Sequence, residues 1–154
     1  AQDKLPAIVF CMSRRACVNA AQAVQGNPLL GAGPKKKPPP GRLEDMLQWE
    51  YEEGERSHRV RSIEARRMAM HRKHLQRFAK DLDQLEAFHQ LDGLLKRGIA
   101  YHHAGMLPIL REYVELCFQE RLIRVVFATE TLAVGVNMPA RTVVFTQLDK
   151  PNNQ

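Results

Sequence analysis

Apolar and polar positions follow two different rhythms along this chain. Leu5 to Cys11 is a short, nearly continuous apolar run, the pattern of a strand covered on both faces in a parallel sheet. Ser13 then offers a hydroxyl to cap a helix. Cys17, Ala20, Ala21 and Val24 follow at helical spacing, and Gly26 marks the stop. The same strand-and-helix rhythm returns after residue 98. Ile99 to His103 reads as a short strand, and Pro108 suits the first turn of a helix. Leu110, Tyr113, Val114, Cys117 and Phe118 form one apolar stripe, with Arg111, Glu112, Glu115 and Gln119 facing elsewhere. Leu122 to Ala128 and Thr142 to Thr146 read as two further strands. Strands alternating with helices imply an α/β fold with a parallel sheet and right-handed crossovers.

Two stretches between these regions differ in kind. Residues 26–42 hold too much proline and glycine for helix or strand and predict an exposed, mobile connector, with Lys35, Lys36 and Lys37 on it. Residues 43–97 contain no proline and are rich in helix formers. Acids crowd the first part, from Glu44 to Glu55, and bases the second, from Arg59 to Lys80. A solvated helix face and a nucleic-acid groove both account for that basic run. Leu75, Phe78, Leu82, Leu85 and His89 recur every three or four residues and predict one buried face. Gly54 is expected to break the stretch into at least two helices, and Gly98 to stop the last one after Lys96 and Arg97. The predicted organisation is therefore a first strand–helix unit at 1–25, a connector at 26–42, a helical insertion at 43–97 and the rest of the α/β unit at 98–154.

Charge and composition narrow the chemistry. The chain has 154 residues and a net charge of +6, which suits a polyanionic partner without requiring one. No apolar run approaches the roughly 20 residues of a membrane helix, and nothing resembles a signal peptide. Cys11, Cys17 and Cys117 are odd in number and lack metal-type spacing. They read as reduced thiols of an intracellular protein. His102 and His103 are adjacent, so they point to opposite faces of a strand and make a poor metal pair. There is no G-x-x-x-x-G-K-[ST] loop to hold a nucleotide triphosphate and no acidic cluster after a strand for magnesium. No metal site and no catalytic residue is expected within these 154 residues.

In parallel α/β sheets, ligands bind beyond the carboxyl ends of the strands. Three segments fall there: Met12 to Arg15, His103 to Met106, and Thr129 to Pro139. Each offers small or hydroxyl residues beside free backbone N–H groups, a natural cradle for phosphate. Thr129 and Thr131 supply hydroxyls, Gly135 permits close approach of the backbone, and Asn137 both donates and accepts hydrogen bonds.

These segments, in this order, resemble the second RecA-like domain of superfamily 2 helicases. The likeness is strongest over residues 98–146 and covers about half the chain. Ala7 to Cys17 (AIVFCMSRRAC) is similar to motif IV, His103-Ala104-Gly105 to motif IVa, and Ala128 to Ala140 (ATETLAVGVNMPA) to motif V. Within the superfamily the chain resembles the DExH RNA helicases of the superkiller and exosome-cofactor family. The resemblance implies a RecA-like sheet flanked by helices, carrying a long helical insertion and ending before motif VI. It implies that Thr129 contacts an RNA phosphate through its hydroxyl, that Gly105 offers its N–H to a neighbouring phosphate, and that Arg111 adds charge. Ser13 and Arg14 would touch the same strand. For Ser13 a plain helix cap remains an equal reading, and for Arg111 a surface salt bridge. Gly135 and Asn137 would face a cleft shared with a first RecA-like domain, the main holder of ATP and Mg²⁺. The implied whole is an ATP-hydrolysing 3′-to-5′ RNA helicase of the nucleus or cytoplasm, with RNA, the first RecA-like domain and exosome-type or adaptor proteins as partners. The fragment alone is expected to be inactive. Two other readings stay open here: a helical protein-interaction module on an α/β scaffold, and a DNA helicase of the same superfamily.

Overall fold

The strands are short, and each is placed by an apolar run too brief for a helix. In the computed structural model, which describes residues 5–26, 40–129 and 140–146, β1 is Ala7–Phe10, β2 Ile99–His102, β3 Val125–Ala128 and β4 Thr142–Phe145. All three pairings are parallel, and the order across the sheet is β2-β3-β1-β4. The register is level: Phe10 stands opposite both Ala128 and Phe145, and Ala128 stands opposite His102. Four carboxyl ends therefore finish on one line. The helices are α1 (Arg14–Ala23), α2 (Leu43–Leu75), α3 (Ala79–Asp83), α4 (Glu86–Leu95) and α5 (Pro108–Gln119), with a 3₁₀ turn at Gln76–Phe78 between α2 and α3.

Burial explains the arrangement. β2 and β3 are buried at every position. The α5 stripe Leu110, Tyr113, Val114, Cys117 and Phe118 is wholly inside, joined by Leu91, Leu94 and Leu95 of α4 and by Leu75 and Leu82. Cys17 and Ala21 bring α1 onto the same core. Gly98 takes φ +80°, a conformation that costs other residues dearly. It turns the chain from α4 into β2, and its carbonyl accepts the Arg124 and Val125 amides at 2.7 and 3.2 Å. The outer strand β4 differs, since Val143, Val144 and Phe145 are exposed, and the Phe10–Phe145 ring stack, with centroids 5.2 Å apart, packs its end.

The helical middle departs from expectation in three ways. Gly54 does not break it: α2 runs unbroken for 33 residues. A glycine costs only about 1 kcal/mol in a helix interior, which the good helix formers on either side offset. The breaks come instead at Gln76–Phe78 and at Gln84–Leu85, between α3 and α4. Leu75 and Leu82 are buried, but Leu85 and His89 lie exposed, with His89 Nε2 2.7 Å from the Asp83 carbonyl oxygen. Nor is the basic run only a solvated face. Arg67 is buried, its Nη1 3.7 Å from Asp92 Oδ1, and the Arg66 guanidinium donates to the Glu120 carbonyl. At the other boundary α1 ends at Ala23, three residues before Gly26. The connector expectation for 26–42 falls almost wholly outside the described residues, which resume just before α2.

A Cβ at Gly54 would meet nothing within 4 Å. Gly54→Ala is therefore expected to stabilise the chain by about 0.5–1 kcal/mol, read as a higher urea midpoint with an unchanged m value. A lower midpoint would mean that the glycine serves a contact not seen here.

Candidate nucleic-acid interface

The level register makes one edge out of residues far apart in sequence. The Cys11 amide donates to the Ala128 carbonyl at 2.7 Å, the Thr129 amide to the His102 carbonyl at 3.2 Å, and the Thr146 amide to the Phe10 carbonyl at 3.0 Å. Cys11, His103, Thr129 and Thr146 thus follow their strands onto the same rim, beyond the carboxyl ends where ligands of parallel sheets bind.

Ser13 is extended at the start of α1, and its hydroxyl oxygen accepts the Ala16 amide at 3.0 Å. It is a helix cap, and its O–H proton remains to donate. Arg14, the next residue, is exposed and reaches across to the loop after β2. Its Nη1 lies 3.1 Å from the point where a Cβ on Gly105 would stand, and His103 Nδ1 lies 3.2 Å from that point. The absence of a side chain at Gly105 is what lets these two groups meet there. The Gly105 N–H donates to His103 Nδ1 at 3.0 Å, so a phosphate taking that amide would displace the imidazole.

His103 is the focus of this corner. Burial, then Arg14, His102 and Arg111, hold its pKa below the ordinary histidine value. Because Nδ1 accepts from Gly105 it carries no proton, and the ring proton sits on Nε2. Its ring stacks on Tyr101, with centroids 5.7 Å apart and planes 7° from parallel. His102 turns to the opposite face, where its Nε2 lies 2.8 Å from Glu115 Oε1. That buried contact ties α5 to the end of β2 and so fixes where Arg111, in the first turn of α5, can stand. Arg111 is half-buried, and its Nε is buried without a hydrogen-bond partner. Among the described residues neither Arg14 nor Arg111 is paired with a carboxylate.

Ser13, Arg14, Gly105, Arg111 and Thr129 accordingly gather at the carboxyl edge of the sheet. Gly135 and Asn137 lie outside the described residues. Two residues on this edge went unassigned by sequence reasoning. His103 opens the His103–Met106 segment that the sequence places on the rim, but as a single residue it is read there only as a poor metal ligand and given no part in phosphate binding. Thr146 ends β4 as Thr129 ends β3, and its hydroxyl donates to the Phe10 carbonyl at 2.7 Å. No group of three His, Cys, Asp or Glu among the described residues could hold a metal ion, and all three cysteines are buried and free.

Comparison with known proteins decides the family. Residues 66–154 match the helicase conserved C-terminal domain. The chain belongs to that family. The match begins inside the 43–97 stretch, so the family pattern takes in its second half as well as the strands that follow. DExH-box ATP-dependent RNA helicase DExH10 of Arabidopsis thaliana is 63% identical over 57 residues, 37% of this chain and 6% of the relative. Exosome RNA helicase MTR4 of Homo sapiens is 59% identical over 71 residues, 46% of this chain and 6% of the relative. Superkiller complex protein 2 of Homo sapiens is 55% identical over 67 residues, 44% of this chain and 5% of the relative. The chain thus spans only a small part of the length of these relatives. The parallel sheet flanked by helices, one of them long, is consistent with a RecA-like helicase C-terminal domain.

Proposed function

We propose that this domain grips the backbone of single-stranded RNA for an ATP-dependent 3′-to-5′ helicase whose first RecA-like domain supplies the ATP loop. The supporting observation is the approach of the Arg14 guanidinium to the Gly105–His103 corner, on the same rim as Thr129 and with Arg111 near enough to lower the His103 pKa; neither arginine has a carboxylate partner among the described residues. Hydroxyl, amide and guanidinium groups on one rim suit phosphate oxygens and carry no base code, so binding is sequence-independent and salt-sensitive. RNA is preferred to DNA because the matched relatives named above are RNA helicases. On this reading the strand–helix unit 1–25 and residues 98–154 form the RecA-like core, 26–42 the connector and 43–97 a helical insertion.

ATP and its Mg²⁺ belong to the first RecA-like domain in this reading, with Gly135 and Asn137 facing the shared cleft. The described residues offer no carboxylate cluster for a metal, so no chemical step is assigned to them. Exosome-type or adaptor proteins are the partners proposed, by analogy with the relatives' names, and an intracellular compartment goes with them. No described helix is long and apolar enough to cross a membrane.

Fluorescence anisotropy with a labelled oligouridylate tests the grip directly. The chain should bind RNA, and Thr129→Ala should weaken it by about ten-fold, the loss of one charge-assisted hydrogen bond. Unchanged affinity in Thr129→Ala would remove Thr129 from the interface. The chain alone should show no ATP turnover above a no-protein control.

A further inference from the structure

Next to the phosphate edge lies a pocket that the grip itself does not use. It has a volume of about 360 Å³, within the ~300–1,000 Å³ span of pockets that take small ligands. Val18 of α1, Leu91 of α4, Met106 and Leu110 supply apolar wall. The polar groups are few and placed: the Gln90 amide on α4, and the stacked Tyr101 and His103 rings. Leu85 and Leu107 also line it while remaining exposed to solvent.

We propose that this pocket seats one nucleobase of the RNA strand whose backbone lies on the Arg14–Gly105–Thr129 edge. The inference rests on that reading of the edge and adds a second kind of contact to it. Gly105 joins the two, because it lines the pocket and also stands within reach of the Arg14 guanidinium. A nucleotide anchored there by its phosphate has its own base one residue away from an aromatic and apolar cavity. Single-strand binders combine these two parts, a cationic track for phosphate and a π surface for the base. The chemistry also favours a base over a protein side chain. Arg14 beside the pocket, with no carboxylate partner among the described residues, suits a ligand that brings its own negative charge, and a flat ring with polar edges suits an imidazole face together with a primary amide. His103 has an N–H on Nε2 both as it stands, with Nδ1 accepting from Gly105, and as the imidazolium that a bound phosphate favours, so one donor is left for a base carbonyl or ring nitrogen.

The test compares oligouridylate with an abasic ribose-phosphate oligomer of the same length, using the chain itself. The unsubstituted chain should prefer the base-bearing RNA by about ten-fold. Ala87→Trp puts an indole into the pocket from an exposed helical position and should reduce that preference to under two-fold. Leu107→Ser opens the pocket rim while placing a good cap residue at the start of α5, and should lower the preference in a protein at least as stable. Arg14→Gln, by contrast, should weaken both oligomers by the same factor and leave their ratio alone. A ratio near one in the unsubstituted chain, or a ratio that survives Ala87→Trp and Leu107→Ser, would overturn the pocket assignment while leaving the phosphate edge intact. Failure of the unsubstituted chain to bind either oligomer would instead overturn the edge, and the pocket's assignment with it. Leu85 and Leu107 methyl resonances that move with a leucine-rich helical peptide, or with protein concentration alone, but not with RNA, would give the pocket to a protein segment and overturn the proposal.

Discussion

Replacing Arg14 and Arg111 together by glutamine is expected to weaken single-stranded RNA binding by about 25-fold at 0.1 M salt, and by only about three-fold at 0.5 M. The reasoning is counterion release. Each cation that neutralises a phosphate on a single strand frees about 0.7 of a counterion, so two lost contacts flatten the log–log salt dependence by about 1.4. Glutamine removes the charge and leaves a shorter but still polar side chain. Arg59→Gln combined with Arg61→Gln serves as the control, since it removes the same charge from exposed positions on α2 and should cost less than two-fold. Equal losses in the two double variants would mean that net charge, not the edge, attracts RNA. His103 gives a second readout. Burial and the neighbouring arginines depress its pKa in the free protein, and a bound phosphate favours the imidazolium. RNA should therefore raise that pKa, and affinity should tighten as pH falls from 7.5 to 5.5. An NMR titration of His103 that is unmoved by RNA would place the strand elsewhere.

The parts of this molecule legible in the sequence are those where burial dictates residue type. β1 and β3 are covered on both faces, so their apolar runs show without any structure in hand. The α5 stripe from Leu110 to Phe118 is legible because every member faces the same core. Gly98 is legible because a positive φ just after a helix leaves little choice of residue. The misreadings share a different cause. Gly54 carries a small local cost that a 33-residue helix absorbs, so propensity was outweighed by cooperativity. The breaks at Gln76–Phe78 and Gln84–Leu85 leave no compositional mark, yet Leu82 before the second keeps to the repeat and is buried, while Leu85 and His89 from it onward are exposed. The edge itself divides the same way. Thr129 and Gly105 stand out by position in a motif, whereas the Arg14–Gly105 approach and the His103–Tyr101 stack depend on a register that only the folded sheet supplies. The base pocket could not have been read at all, for its walls come from α1, α4, β2 and α5.

Raising the pH from about 9 to about 10.5 is expected to cost the fold on the order of 4 kcal/mol, a large share of a typical domain's ~5–15 kcal/mol. Cys17 and Cys117 are fully buried. Burial, helped by the nearby Cys11, pushes the Cys17 thiol up to about 12. Burial pushes Cys117 up to about 11, against the lowering effects of Tyr113 and Arg67. Tyr101 and Tyr113 are shifted upward as well, again mainly by burial. All four groups hold their protons more tightly when folded than when unfolded. Below the unfolded thiol value of about 8.5 both states are protonated, and the full stability is present. Above it the unfolded chain releases protons that the native state keeps, so stability falls as pH rises toward the folded values. Each thiol contributes about 1.4 kcal/mol per pH unit in that window. Urea midpoints measured at pH 8 and pH 10.5 should therefore separate sharply, and a Cys17→Ala, Cys117→Ala double variant should lose most of that separation even though it starts from a lower midpoint. The same burial should keep Cys17 and Cys117 inert to alkylating reagents in the native chain at pH 8, with both becoming reactive in denaturant. Rapid native labelling of either thiol, or a midpoint indifferent to pH across this range, would show that the sheet and its helices do not close over them as described.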